Sequence, residues 1–206
     1  MHTALRCALL MVVLVTPEIA RAQAVCDRLL PIGIVQPATG FGAGCANHYV
    51  LKRPGGTGLY LPGAYVALAY PPCANGACVG LTDILLFACG LRSGYSCCVG
   101  ALDSIPQMPG NMAGPINQGL NARYASDTDT LPGICFSDYR GNGARVVNIP
   151  LIVSAGYWFT QVQVVAFAGM FLVNRPAGNG DAIVEFVAEP TPTQTQTWGR
   201  TKIRYR

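Results

Sequence analysis

The chain has 206 residues, of which 51% are hydrophobic and only 12% charged, with a formal net charge of +4. It is long enough for one substantial core or two small ones, and its charge balance does not point to nucleic acid as a partner. Its 24 glycines, 15 prolines and nine cysteines indicate a turn-rich chain with cross-links to place.

The first residues read as a secretory signal. Arg6 supplies a positive n-region, Cys7 to Val15 is an apolar run, Pro17 breaks it, and Ala22-Gln23-Ala24 offers small residues at a cleavage site. That run of nine apolar residues is far short of the roughly 20 that cross a bilayer. Residues 1–24 are therefore expected to be removed before Val25, with a cut after Ala22 as the alternative, leaving no stable membrane span. A lipoprotein cut at Cys26 is disfavoured by the bulky Val25.

Loss of Arg6, Arg21 and Glu18 takes the net charge from +4 to +3 and leaves eight cysteines: Cys26, Cys45, Cys73, Cys78, Cys89, Cys97, Cys98 and Cys135. An even number in an exported chain argues for up to four disulfides. The vicinal Cys97 and Cys98 should bond to different partners, because a ring closed across one peptide is strained. Seven of the eight precede Pro106, so the first half is the stapled one. A zinc site is the rival reading, but Cys73-x4-Cys78 has no C-x2-C counterpart; no metal ligand, cofactor or catalytic residue is assigned.

Residues 25–105 read as a Cys- and Gly-rich subregion of loops and short strands, with apolar runs at 59–61, 65–70 and 84–89. Residues 82–88 fit either a short helix capped by Thr82 or a buried strand, since seven residues carry too little periodicity to decide. Next, Pro109, Gly110 and Asn111 form a turn signal, and Gly114-Pro115 opens a helix expected over about 115–126. Ile116, Leu120 and Tyr124 fall on one stripe, Asn117 and Arg123 flank it, and Gln118 points away. Gly119 inside the helix weakens it by roughly 1 kcal/mol against alanine.

A polar loop through Asp127, Asp129 and Gly133 leads to strands over 145–154 and 159–173. In the second, Gln161 and Gln163 alternate with Val162 and Val164 before the pattern turns wholly apolar, as when a strand passes from a half-exposed to a buried setting. A turn at 174–180, a strand at 182–188, a polar Thr/Pro/Gln linker and a last strand at 201–206 follow. Arg200, just before that last strand, and Lys202, Arg204 and Arg206 within it share one face, as a solvated edge does.

Few residues offer chemistry. His48 is the sole histidine after Val25 and sits in a Cys45-anchored loop without a nucleophile motif. Asp127-Thr128-Asp129 begins like a calcium loop, but Leu131 and Pro132 stand where an oxygen donor and a glycine are needed. Asp103, Asp138, Asp181 and Glu185 could be paired for glycoside hydrolysis only by the fold. Core packing is the expected role of Tyr49, Tyr60, Tyr65, Tyr70 and Tyr95.

The P-G-N-x-x-G-P-x-x-Q-G-L-x-x-R pattern of 109–123, with Pro109, Gly110, Asn111, Gly114, Pro115, Gln118 and Gly119 as its motif residues, resembles the globular region of TadE/TadG-like proteins, associated with assembly of Flp (tight-adherence) pili. Arg145-Val146-Val147-Asn148-Ile149-Pro150-Leu151 is similar to the family's R-V-V-x-V-P-L strand. The run 165–172 and the Lys202-Ile203-Arg204-Tyr205 ending also resemble family segments. Pilin-like members carry a cleavage glycine followed by glutamate; no glycine precedes Gly33, so Glu18 is not part of such a site.

The resulting expectation is an α+β, β-rich fold. Residues 25–206 form one globular domain: the stapled, loop-rich subregion 25–105, then a subregion 106–206 with a small antiparallel or mixed sheet and one main helix. The resemblance implies a non-enzymatic periplasmic or secreted protein with protein partners in the envelope or pilus machinery. The alternative is a secreted carboxylate-dependent hydrolase of cell-wall or polysaccharide material, which would show two carboxyl groups about 5–9.5 Å apart in a cleft.

Overall fold

In a computed structural model, the described residues are 24–37, 41–52, 60–70, 78–81, 83–110, 112–156 and 158–188. The signal segment through Gln23, Cys73, Thr82, Asn111, the polar linker and the expected last strand lie outside them. The fold is α+β: a mixed sheet of seven strands and two helices. In chain order these are β1 (Ile32–Val35), β2 (His48–Leu51), β3 (Tyr65–Ala67), α1 (Asp83–Ser93), β4 (Ser104–Pro106), α2 (Ala113–Ala125), β5 (Val146–Ile152), β6 (Gln161–Leu172) and β7 (Ala182–Ala188).

Three of the four strands expected from the second half are present among the described residues. β5, β6 and β7 form the antiparallel centre, with Val146 opposite Phe171 and Leu172 opposite Val184. The short strands expected in the first half join the same sheet. β1 pairs with β5 as the one parallel neighbour, β3 extends the sheet beyond β1, β2 closes the other edge on β7, and β4 pairs with the start of β6. Both subregions thus share one sheet.

Two helices among the described residues cover a face of it. The segment left ambiguous by periodicity is α1, an 11-residue helix. The expected helix is α2, which begins two residues early at Ala113, so Pro115 lies in its first turn, where no N–H is lost. Gly110 ahead of it has φ +88°, the left-handed conformation that glycine enters freely. Ile116, Leu120 and Tyr124 are all buried, as their stripe implies, and Gln118 is exposed. Arg123, expected at the flank, is buried too.

Leu120 packs in the cluster that joins both helices, including Phe87 and Leu91, to the sheet face of Ile149, Ala168 and Met170. It does not meet Val164 or Phe167, which face the opposite side with Val66, Leu68, Tyr70 and Tyr95. Odd and even strand residues point to different faces, and the register shift of β6 opposite Leu151 and Ile152 reverses its parity, so that Val162 and Val164 face with Phe167 and away from Ala168 and Met170. At the far end of that second face a small core of Tyr139, Val146, Phe171 and Val173 holds the loop after α2.

Three disulfides join described residues: Cys26 to Cys98, Cys45 to Cys135 and Cys78 to Cys89. Cys97 is disulfide-bonded as well, so the vicinal pair is divided between partners. Cys78, half of the weighed Cys73-x4-Cys78 zinc spacing, is taken by Cys89.

Candidate functional site

Sheet register builds the densest group of reactive side chains. β2 and β7 run antiparallel with His48 directly opposite Glu185, and His48 Nε2 lies 3.8 Å from Glu185 Oε2. The chain enters β2 through a turn in which the Asn47 N–H donates to Gly44 O, while the Gly44 N–H donates to Phe186 O on β7 at 3.1 Å. Cys45 is thereby pinned beside the same strand. From the other direction, Phe136 docks its ring on Phe171, 5.8 Å between centroids, and its N–H donates to Glu185 Oε2 at 2.9 Å. Cys135 arrives with it.

As a result Cys45, His48, Cys135 and Glu185 each bring one donor atom into a group lying within 4.8 Å of one another. Cys45 and His48 are exposed, Cys135 is half-buried, and Glu185 is only 3% exposed. A buried carboxylate needs compensation. Here the Phe136 N–H donates to it, His48 Nε2 stands 3.8 Å away, and no Arg or Lys among the described residues comes within ion-pair distance of it. Two sulfurs, an imidazole and a carboxylate are donors that a soft divalent cation accepts when the sulfurs are thiolates. The sequence reading assigned none of these residues to a metal, because only Cys45-x2-His48 is local. Cys135 and Glu185 come from a loop and a strand far along the chain.

A second polar cluster is internal. Arg145, at 0% exposure the largest fully buried side chain, donates from Nε to Leu172 O, from Nη1 to Asp129 O and Leu131 O, and from Nη2 to Val173 O, at 2.7–3.0 Å. Its guanidinium lies 4.4 Å from the ring centroids of both Tyr124 and Phe171. Asp127 accepts the Tyr139 hydroxyl, the Arg145 N–H and the Asp129 N–H. The acidic pair that begins like a calcium loop is therefore turned inward to organise 127–145. Burial pushes the Tyr139 phenol up, helped by its bond to Asp127, and pushes Arg145 down.

Of the carboxylates weighed for hydrolysis, Asp103 caps the Gly100 N–H and Asp181 accepts from Asn179 Nδ2, both local turn contacts, while Asp138 is exposed in the turn after Cys135. The tyrosines pack as expected. Tyr65, Tyr70 and Tyr95 are buried with hydroxyls donating to Gly180 O, Leu30 O and Leu86 O, and Tyr49 and Tyr60 are half-buried against the cores.

The surface offers one further feature. The connection from β5 to β6 exposes Val153, Trp158 and Phe159, with Trp158 78% exposed. Tyr60 N–H donates to Ala155 O, and Leu102 N–H to Val164 O. Exposed Leu61 and Leu102 therefore stand at this same end of the sheet, with Leu61 77% exposed. Compared with known proteins, the chain matches no family model, no curated protein and no solved structure. Fold and site define a disulfide-braced α+β protein compatible with an extracytoplasmic setting, in which no helix among the described residues is long and apolar enough to cross a membrane.

Proposed function

We propose that the protein is a non-enzymatic exported component of the bacterial cell envelope, periplasmic or secreted after signal cleavage. It works by binding another envelope protein, in the pilus-assembly setting implied by its TadG-like segments. The observation that carries this reading is the apolar end of the sheet. Large apolar side chains grouped on a braced framework are characteristic of docking surfaces, and Trp is among the residues enriched as their anchors. A sheet held by disulfides keeps such loops in place without an ordering cost at binding.

The test is site-specific photo-crosslinking in the native host. A photoreactive residue at Trp158 is expected to give one discrete adduct with an envelope or pilus-assembly protein, and one at exposed Leu131, near the opposite end of β6, to give none. Identical adducts from both positions, or none from Trp158, would refute the docking surface. Release of soluble sugars from cell-wall material by the purified protein would favour the hydrolase instead.

A further inference from the structure

We propose that Cys45, His48, Cys135 and Glu185 form a redox-gated site for a thiophilic divalent cation of the Zn2+ class, closed while the Cys45–Cys135 disulfide is intact and opened by its reduction. The four donors come from three separately anchored pieces of chain: the turn and first residue of β2, the loop carrying Phe136, and β7. Their convergence is fixed by backbone bonds to Phe186 and by the Phe136 ring, so the site does not depend on the disulfide alone.

The dimensions suit the ion. With bonds of about 2.0–2.3 Å, the ligand atoms of a tetrahedral zinc stand about 3.3–3.8 Å apart, and His48 Nε2 and Glu185 Oε2 are separated by 3.8 Å. The two sulfurs must part to the upper end of that range, and both belong to loops rather than strands. Charge agrees: Glu185 is buried, the Phe136 N–H donates to it, and no Arg or Lys among the described residues lies within ion-pair distance of it. Exposed Cys45 and His48 give reductant and ion a way in. Neither Cys26–Cys98 nor Cys78–Cys89 belongs to any such donor group among the described residues.

The chemistry balances with a dithiol reductant. It transfers two electrons and two protons, its own sulfurs joining as a disulfide, while the Cys45–Cys135 bond breaks to two thiols. The cation then displaces both thiol protons to solvent, forming two bonds to sulfur, one to His48 nitrogen and one to Glu185 oxygen. A disulfide oxidant, its own bond breaking to two thiols as it takes up two electrons and two solvent protons, re-forms the Cys45–Cys135 bond and releases the ion.

The experiment treats the mature protein with limiting phosphine reductant and titrates it with Co2+ as the probe. One Co2+ per chain is expected, with thiolate-to-cobalt charge transfer and the strong visible bands of a tetrahedral site; oxidised protein should give neither. His48→Gln, at an exposed position, should weaken binding at least tenfold while keeping the charge-transfer band. In the reduced wild type, Zn2+ should shield Cys45 and Cys135 from alkylation. Several results would overturn the proposal: no cobalt bound after reduction, the same band in Cys45→Ser/Cys135→Ser, equal affinity in His48→Gln, or a reduced chain whose near-ultraviolet dichroism is lost and not restored by Zn2+.

Discussion

At the scale of single residues, burying a guanidinium is costly unless every donor finds an acceptor and the planar group finds a surface to stack on. Arg145 meets both conditions, with four carbonyls and two aromatic rings. A lysine would keep the charge but could not reach acceptors on both sides of the fork or stack. At about 1.5–3 kcal/mol for a hydrogen bond to a charged group, Arg145→Lys should cost about 2–4 kcal/mol, read as a lower urea midpoint at unchanged m-value; an unmoved midpoint would contradict this role. The tyrosines set an alkaline limit. Burial pushes Tyr95 from 10.0 to about 12 and raises Tyr70 well above the ordinary phenol value, with the Tyr95 charge adding to it. Burial and the Asp127 bond likewise raise Tyr139. A raised phenol pKa means the fold favours the neutral form, so this stabilisation is complete below the free phenol's 10.0 and is lost as pH climbs through about 12. Urea midpoints should stay flat in this respect up to about pH 10 and fall above it, with tyrosinate absorbance rising in step with unfolding; early, fully reversible ionisation of every tyrosine would show those hydroxyls to be accessible.

At the scale of elements, the contact between α1 and α2 depends on the missing side chain of Gly119. A Cβ there would lie 2.5 Å from Leu91 Cβ and 3.0 Å from Ala88 O. Alanine gains about 1 kcal/mol of helix propensity, but overpacking costs about 1–3 kcal/mol, so Gly119→Ala should lower the melting temperature. Gly114→Ala in the same helix, with nothing within 4 Å, should raise it. Equal shifts of the same sign would show that propensity alone decides. Leu120→Ala should cost about 2–5 kcal/mol through lost transfer energy and a cavity, and exposed Gln118→Ala under about 0.5; equal melting temperatures for wild type and Leu120→Ala would refute the packed stripe. What could be read in advance follows the same physics. β5, β6 and β7 announce themselves because seven to twelve residues carry a full period-2 or apolar signal. β1 is four residues interrupted by Gly33, and β4 is three ending in Pro106; both are strands only because β5 and β6 lie beside them. Gly119, read as a weakness of its helix, is instead the point of closest approach, which no single-helix pattern reveals.

At the scale of the whole molecule, long-range pairing brings Cys135 and Glu185 to Cys45 and His48, so the candidate cation site could be seen only once β2 and β7 were in register; the Cys45-x2-His48 spacing was its one local sign. The same long-range closures govern stability. Cys26–Cys98 and Cys45–Cys135 span 72 and 90 residues, Cys78–Cys89 only 11. Chain-entropy reasoning assigns about 4–5 kcal/mol to each long closure and about 3 to the short one, against a total stability of about 5–15 kcal/mol for a typical domain. These contributions do not add strictly, but their size decides the outcome: losing the short bridge is survivable, and losing all of them is not. Cys78→Ala/Cys89→Ala should therefore remain folded with a lowered melting temperature, whereas full reduction and alkylation should abolish the near-ultraviolet dichroism. Thiol titration of the mature protein, unfolded without reductant, should find close to zero free thiols. Two or more thiols per chain, or a fully reduced chain that melts cooperatively near the wild-type temperature, would show that the core of β5, β6 and β7 with α2 carries the fold without its staples.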